Sequence, residues 1–500
     1  MTSGLPATIT SVTLRHLAAV AFFCVLAGSF ASAASPPNVL FIIVDDLRPE
    51  MGCYGRPVVL TPHIDRFAKD ALLFERAYCQ EAICMSSRAS LLSGLRPDER
   101  NIWTNRDVRP ALQDIALLPQ HFREHGYHTV GIGKIAHNSW EDPRCWTDPH
   151  QMPENAGFEY RTRAGRALVD QLQKEAAAAG KPDPFEKIPE KIRRGMPFES
   201  LDVSDSELGD GQIADEALAT LDRVKDGPFF LAVGFRRPHL PFVAPQSYWD
   251  RYDAAALPGP ESPDFPEGLP APAKSGSGEL LSQYRGLPKK LPLGDALERQ
   301  LRHGYAACVS YVDAQIGRVL KGLAERGLAE DTIVVLTSDH GFQLGDHGMW
   351  GKATNFELAT RVPLIIRTPG QTTGGKRTGS LVELVGLYPT LCDLAGLPKP
   401  GHLQGTSFAT LLGDPELPLR KTAVSQFPRS GFMGYSLRTA QFRYTEWRSI
   451  DDATVTASEL YDHRTDTLES RNVADLPENA DVVGEHAALL KQGLETGTFE

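Results

Sequence analysis

Four short apolar runs, rich in β-branched residues, each lead within a few positions to ionisable side chains. No other feature constrains the fold as much. Val39–Val44 meets Asp45-Asp46, and Thr129–Ile132 leads through Gly133 to Lys134 and His137. Phe229–Phe235 ends at Arg236-Arg237-Pro238-His239, and Thr332–Leu336 leads through Thr337-Ser338 to Asp339-His340. Val362–Ile366 is a fifth run of the same kind. Apolar runs without alternation fit strands covered on both faces, as in a parallel sheet. Helical spacing is read between them over His63–Phe74 and over Tyr305–Leu323. Strand–helix alternation predicts an α/β fold with a large, mostly parallel sheet sandwiched by helices. In such sheets ligands gather at the carboxyl ends of the strands.

After about residue 415 the pattern turns to alternating strands, as in Gly434–Trp447, which predicts a small C-terminal antiparallel α+β subdomain. The expected division is 1–33 as a leader, 34–414 as the catalytic domain and 415–500 as the subdomain. The leader is read from a weakly basic start at Arg15-His16, an apolar run Leu17–Phe30 and the A-x-A signal Ala31-Ser32-Ala33. That run is short for a membrane span. The expectation is a secreted or periplasmic protein, cleaved after Ala33, with no stable membrane insertion. Residues 141–200 and the Pro-, Gly- and Ser-rich stretch 257–294 are read as irregular. The net charge of −11 without a basic tract argues against nucleic acid as a partner. The seven cysteines form no CxxC pair.

The sharpest local motif is Cys84-Met85-Ser86-Ser87-Arg88, followed by Leu91-Leu92-Ser93-Gly94. Ser86 and Ser87 are read as helix caps, placing Cys84 just ahead of a helix N-terminus that favours negative charge. Three carboxylates, Asp45, Asp46 and Asp339, end two strands. Clustered carboxylates repel unless a cation lies among them, and a hard divalent ion suits oxygen ligands.

The Cys84 segment resembles the signature of the sulfatase family, C-x-P-S-R-x-x-x-L-[ST]-G. Asp45-Asp46, Gly133–His137, Pro238-His239, Asp339-His340-Gly341 and Lys352 resemble the family's remaining motifs in order. Pro228–Phe242, Ser338–Lys352, Arg361–Ile365 and Met433–Trp447 are similar to the iduronate-2-sulfatase group. The resemblance implies a sulfuric ester hydrolase acting on a sulfated uronate or related sugar of an oligo- or polysaccharide. It implies that a formylglycine-generating enzyme oxidises Cys84 to formylglycine. One hydroxyl of the hydrated aldehyde would attack sulfur, and the other would then expel sulfate. It implies catalytic roles for Cys84, Arg88, Lys134, His137, His239 and Lys352. The implied metal ligands are Asp45, Asp46, Cys84, Asp339 and His340, with Ca²⁺ as the expected ion and Mg²⁺ as the alternative. His340 is read either as a ligand or as a hydrogen-bond partner of the nucleophile. Ser86 stands where the family has Pro, or Ala in some bacterial members, which predicts inefficient maturation. His347 is read as a loop turn or a substrate contact, and Arg237 as an exposed Arg or a substrate-carboxylate contact. His125, His128, His303 and His463 are read as outside the site. A phosphate or phosphonate ester hydrolase of the same superfamily, or an inactive glycan-binding relative, are the alternative functions.

Overall fold

The computed structural model describes residues 1, 36–103, 107–137, 140–153, 161–497 and 499. The expected leader 1–33, apart from its first residue, and its cleavage after Ala33 lie outside the described residues. Seven strands form the main sheet: β1 (Asn38–Val44), β2 (Leu72–Tyr78), β3 (His128–Gly133), β4 (Phe229–Phe235), β5 (Thr332–Ser338), β6 (Arg361–Arg367) and β7 (Arg377–Glu383). Their order across the sheet is β7-β2-β6-β5-β1-β4-β3. β3, β4, β1 and β5 run parallel, and β7 is parallel to β2. β6 is antiparallel to both neighbours.

The central strands read as unbroken apolar runs because both faces are covered. Leu40, Ile42 and Val44 of β1 enter one hydrophobic core, and Val39, Phe41 and Ile43 enter the other. Each such side chain contributes about 1.5–3 kcal/mol of burial. On the first face lie α3 (Gly209–Val224) and α5 (Asp295–Glu325). On the second lie α1 (Cys84–Ser93) and α6 (Leu387–Ala395). Four antiparallel strands follow in chain order: β8 (Ala423–Arg429), β9 (Phe432–Arg438), β10 (Phe442–Ser449) and β11 (Val455–Asp462). The last helix, α7 (Ala480–Thr496), buries Leu490 in a core with Val424, Leu437, Tyr444 and Leu460.

Three expectations need correcting. The helix read over His63–Phe74 stops early: Pro62–Phe67 is helical and Leu72–Tyr78 is strand β2. Its apolar residues continue one another, but Leu72 and Phe74 belong to the sheet core. The 141–200 stretch contains a sixteen-residue helix, α2 (Arg163–Ala178). The 257–294 stretch contains a short helix, α4 (Gly278–Gln283). Among the described residues no helix is long and apolar enough to cross a membrane.

Candidate active site

The parallel strands deliver their terminal residues to one place. Asp45 and Asp46 follow β1, and Asp339 and His340 follow the adjacent β5; all four are fully buried. Asp46 turns the chain with a φ of 64°, and its N–H donates to Asp339 Oδ1 at 3.2 Å. Lys134 follows β3 and pairs with Asp45 Oδ2. The close approach of β3 and β4 needs Gly234, where an added Cβ would lie 2.0 Å from the Lys134 carbonyl oxygen.

Helix α1 begins at Cys84 itself, with Ile83 as its N-cap residue. Ser86 and Ser87 are therefore inside the first turn, not caps. Ser87 Oγ donates to the Asp339 carbonyl. Arg88, one turn after Cys84, is fully buried among acceptors. Its Nε donates to Asp339 Oδ2 at 2.8 Å, its Nη1 to the carbonyls of Lys134 and Ile135, and its Nη2 lies 3.5 Å from Asp45 Oδ1. One guanidinium thus ties the ends of β1, β3 and β5 to the helix that carries Cys84.

Asp45, Asp46, Cys84 and His340 each offer a ligand atom within 4.8 Å of the others. His340 Nε2 is 3.2 Å from Cys84 Sγ, and His340 Nδ1 is 3.4 Å from Asp46 Oδ1. Asp339 adjoins this group with both oxygens engaged by Arg88, the Asp46 N–H and its neighbour's N–H. The cluster fits a cation. Asp45 Oδ1 is buried without a hydrogen-bond partner. Burial holds Asp46 well above the ordinary carboxylate range despite Lys352, and Asp45, Glu279 and Asp339 push the same way. Burial also pushes the Cys84 thiol up, with Asp45 adding to it against Lys134 and Lys352.

A cleft of about 280 Å³ opens above Cys84, lined also by His137, Arg194, His239, Glu279 and Lys352. Lys352 Nζ lies 3.1 Å from both Asp46 oxygens and 2.9 Å from Glu279 Oε2. His239 Nε2 lies 3.2 Å from Glu279 Oε1, and its Nδ1 donates to the Leu240 carbonyl at 2.6 Å. Burial and Lys352 push His239 down, while Asp45 and Glu279 oppose them. His137 is half-buried and pushed down to about 3 by burial and by Lys134, and its Nδ1 has no hydrogen-bond partner.

Residues 37–397 match the family model described as sulfatase. The chain belongs to the sulfatase family. It is a sulfuric ester hydrolase, and residues 345–495 also match the model of the N-sulphoglucosamine sulphohydrolase C-terminal region. The sulfatase is 33% identical to iduronate 2-sulfatase of Mus musculus over 90% of this chain and 94% of that one. A solved structure described as bound to its substrate D-glucosamine-2-N,6-O-disulfate is 23% identical at a TM-score of 0.73, covering 92% of this chain and 98% of that one. A phosphonate monoester hydrolase of Agrobacterium radiobacter is 24% identical at a TM-score of 0.71, covering 91% and 95%. At these identities the two structures establish the fold alone.

Cys84, Arg88, Lys134, His137, His239 and Lys352 therefore meet Asp45, Asp46, Asp339 and His340 at one site of the sulfatase. His347 and Arg237 both lie in buried polar contacts. His347 is buried, within hydrogen-bond reach of Gln343 Nε2 and the Leu468 carbonyl, and packs against Phe356. Arg237 is only 5% exposed, and it donates to the Val243 and His239 carbonyls. It braces the His239 turn and is not a surface Arg. His125, His128 and His303 have backbone or carboxylate partners, and His463 sits with Arg438 and Glu469. Glu279 and Arg194 were not read from the sequence. The signal at Glu279 was an acid before Leu280-Leu281 in a Pro- and Gly-rich stretch whose register nothing fixes.

Proposed function

We propose that the sulfatase is an exported enzyme that removes O-sulfate from a sulfated uronate or related sugar of an oligo- or polysaccharide. Its leader is cleaved after Ala33, it works outside the cytoplasm, and its chain divides into 34–414 and 415–500. The similarity to iduronate 2-sulfatase over nine-tenths of the chain supports the substrate class. One observation carries the chemistry. Cys84 shares one buried cluster with Asp45, Asp46 and His340, at a cleft lined by His137, His239 and Lys352.

Cys84 is converted to formylglycine by a formylglycine-generating enzyme. The exchange replaces a thiol held protonated by burial with oxygen donors, which suit a hard cation beside two carboxylates. Asp45, Asp46, Asp339, His340 and residue 84 hold the ion, Ca²⁺ with Mg²⁺ as the alternative. When bound, it supplies fixed positive charge for the sulfate oxygens. Lys134 and Lys352 add cationic charge where negative charge develops. His137 stays neutral near pH 7 and can accept a proton from the residue-84 hydroxyl. His239 donates a proton to the departing sugar oxygen. Arg88 keeps Asp45, Asp339 and α1 in register.

The test is a panel of sulfated uronate, fucose and galactose oligosaccharides beside matched phosphate and phosphonate esters. Sulfated uronates are expected to give the highest kcat/KM. A preference for phosphonate monoesters would favour a phosphonate ester hydrolase instead.

A further inference from the structure

Among the described residues that line the cleft, the acid Glu279 stands apart from the metal cluster and from Arg88. It rises from α4 on the stretch that closes over the site. Its two carboxylate oxygens face different partners, His239 Nε2 at 3.2 Å and Lys352 Nζ at 2.9 Å. The side chain is 24% exposed, so one side is open to the cleft.

The segment holding it is fixed at both ends. Ser277 Oγ accepts from the Trp350 N–H at 2.8 Å, two residues before Lys352. Leu280 and Tyr284 are buried in the core, and Arg194 Nη1 donates to Tyr284 Oη at 3.3 Å. The Arg285 N–H donates to the Gly195 carbonyl at 2.8 Å. Glu279 is thus anchored, not a loop side chain resting on the nearest cation.

The ring geometry of His239 gives this contact its meaning. Nδ1 faces a carbonyl oxygen, which only accepts, so Nδ1 carries a hydrogen. Nε2 then faces a carboxylate, which also prefers a donor. Acceptors on both sides favour an imidazole that carries both hydrogens, the form a general acid needs, and they work against burial, which pushes the ring toward its neutral form. Lys352, on the other carboxylate oxygen, opposes that charge by repulsion. A carboxylate between the two offsets the repulsion and sets their separation.

We infer that Glu279 is a positioning residue of the sulfatase reaction, holding the His239 imidazole as proton donor and the Lys352 ammonium in fixed relation across the cleft. The inference rests on the proposed acid role of His239. As the S–O bond to the sugar breaks, its electron pair stays on the sugar oxygen, which takes the Nε2 proton. The new S–O bond forms to the residue-84 oxygen, whose hydroxyl proton passes to His137, and solvent restores the proton to His239.

The experiment is a double-mutant cycle, Glu279→Gln with His239→Ala, read on a sugar sulfate and on a nitrophenyl sulfate. An alcohol leaving group needs the proton, whereas a nitrophenolate hardly does. His239→Ala alone is expected to cost roughly 10²-fold or more in kcat on the sugar sulfate and far less on the aryl sulfate. Glu279→Gln is expected to cost roughly 10- to 100-fold on the sugar sulfate without raising KM, a range typical of residues that orient catalytic groups. On the aryl sulfate it should cost about 3-fold or less, and in the His239→Ala background almost nothing on either. Glu279→Asp, if Glu279→Gln does not fold, is put through the same cycle. Equal losses of Glu279→Gln on both substrates, or full additivity with His239→Ala, would overturn the positioning role. So would a lower KM with kcat unchanged, which would mark Glu279 as a plug that substrate displaces. Equal losses of His239→Ala on both substrates would instead overturn the acid reading on which the inference stands.

Discussion

Ser86 occupies the third position of α1, within the first turn, where backbone N–H groups have no intrahelical acceptor. Its Oγ is buried with no hydrogen-bond partner. A buried, unsatisfied hydroxyl costs about 1–3 kcal/mol. Proline in a first helical turn forfeits no intrahelical hydrogen bond and already has helical φ. Ser86→Pro is therefore expected to leave Tm unchanged or higher. If Pro is what the modifying enzyme reads, it should also raise the formylglycine fraction at Cys84 and the activity in proportion. Thermal unfolding and peptide mass spectrometry read the two effects. A wild-type Cys84 peptide already fully converted would refute inefficient maturation. The chemistry-bearing residues were legible one by one because each ends a strand or sits in a short motif. The polar contacts of Arg237 and His347 were not. They run to backbone carbonyls and to residues up to 121 positions away, and no spacing rule encodes them.

The turn after β4 shows how an element, not a residue, presents His239. Asp210 is the second residue of α3, and its carboxylate accepts from the Arg236 N–H at 2.9 Å and the Arg237 N–H at 2.8 Å. It is 1% exposed, so its carboxylate meets these two donors away from bulk solvent. Asp210→Ala leaves two buried N–H groups unsatisfied, at about 1–3 kcal/mol each. The expected outcome is a clear fall in Tm and roughly a tenfold or greater fall in kcat, since small displacements of a catalytic group are costly. Asp210→Asn, which keeps one acceptor oxygen, should lose less of both. A fall in Tm with kcat intact would mean that Arg237 alone holds the turn. The strands flanking this site were legible because they are buried on both faces, and sequence then shows an unbroken apolar run. Helix α2 was not, because its apolar residues, though they share one face, are few among polar ones, and only Gly165 and Val169 are buried. The short helix before β2 merged with its strand because Ile64, Phe67, Ala68, Ala71 and Leu72 continue one apolar spacing.

At the scale of the molecule, two of the buried charge systems among the described residues make stability respond to conditions. The first is the active-site cluster, whose carboxylates need a cation to ionise together. A metal that binds only the folded chain adds about 2.7 kcal/mol when present at about 100 times its Kd. A chelator is expected to lower Tm and activity together, and Ca²⁺ to restore both, whereas Asp45→Asn should show no Ca²⁺ response in Tm. A Tm indifferent to chelator and Ca²⁺ would sink the metal assignment. The second system joins the C-terminal sheet to the segment after Lys352. Glu357 pairs with Arg438 and Arg443, and Glu469 with Arg443 and His463. Glu459 lies near it without a cation of its own, accepting from Trp447 Nε1 and Tyr461 Oη at 2.7 Å each. Burial raises Glu459 to about 7. The folded chain then keeps a proton that the unfolded chain releases near pH 4.5. Between about pH 4.5 and 7 the folded state binds more protons, so this group's contribution to stability falls as pH rises. The full effect is on the order of 3 kcal/mol. Other carboxylates slope the opposite way, since Glu469 is held down at about 2, chiefly by Arg443 against its burial. The comparison that isolates Glu459 is therefore Glu459→Gln against wild type. The variant's stability relative to wild type should rise between about pH 5 and about pH 7.5, read by urea unfolding at each pH. A difference that stays constant over that range would show that Glu459 is ionised in the folded protein.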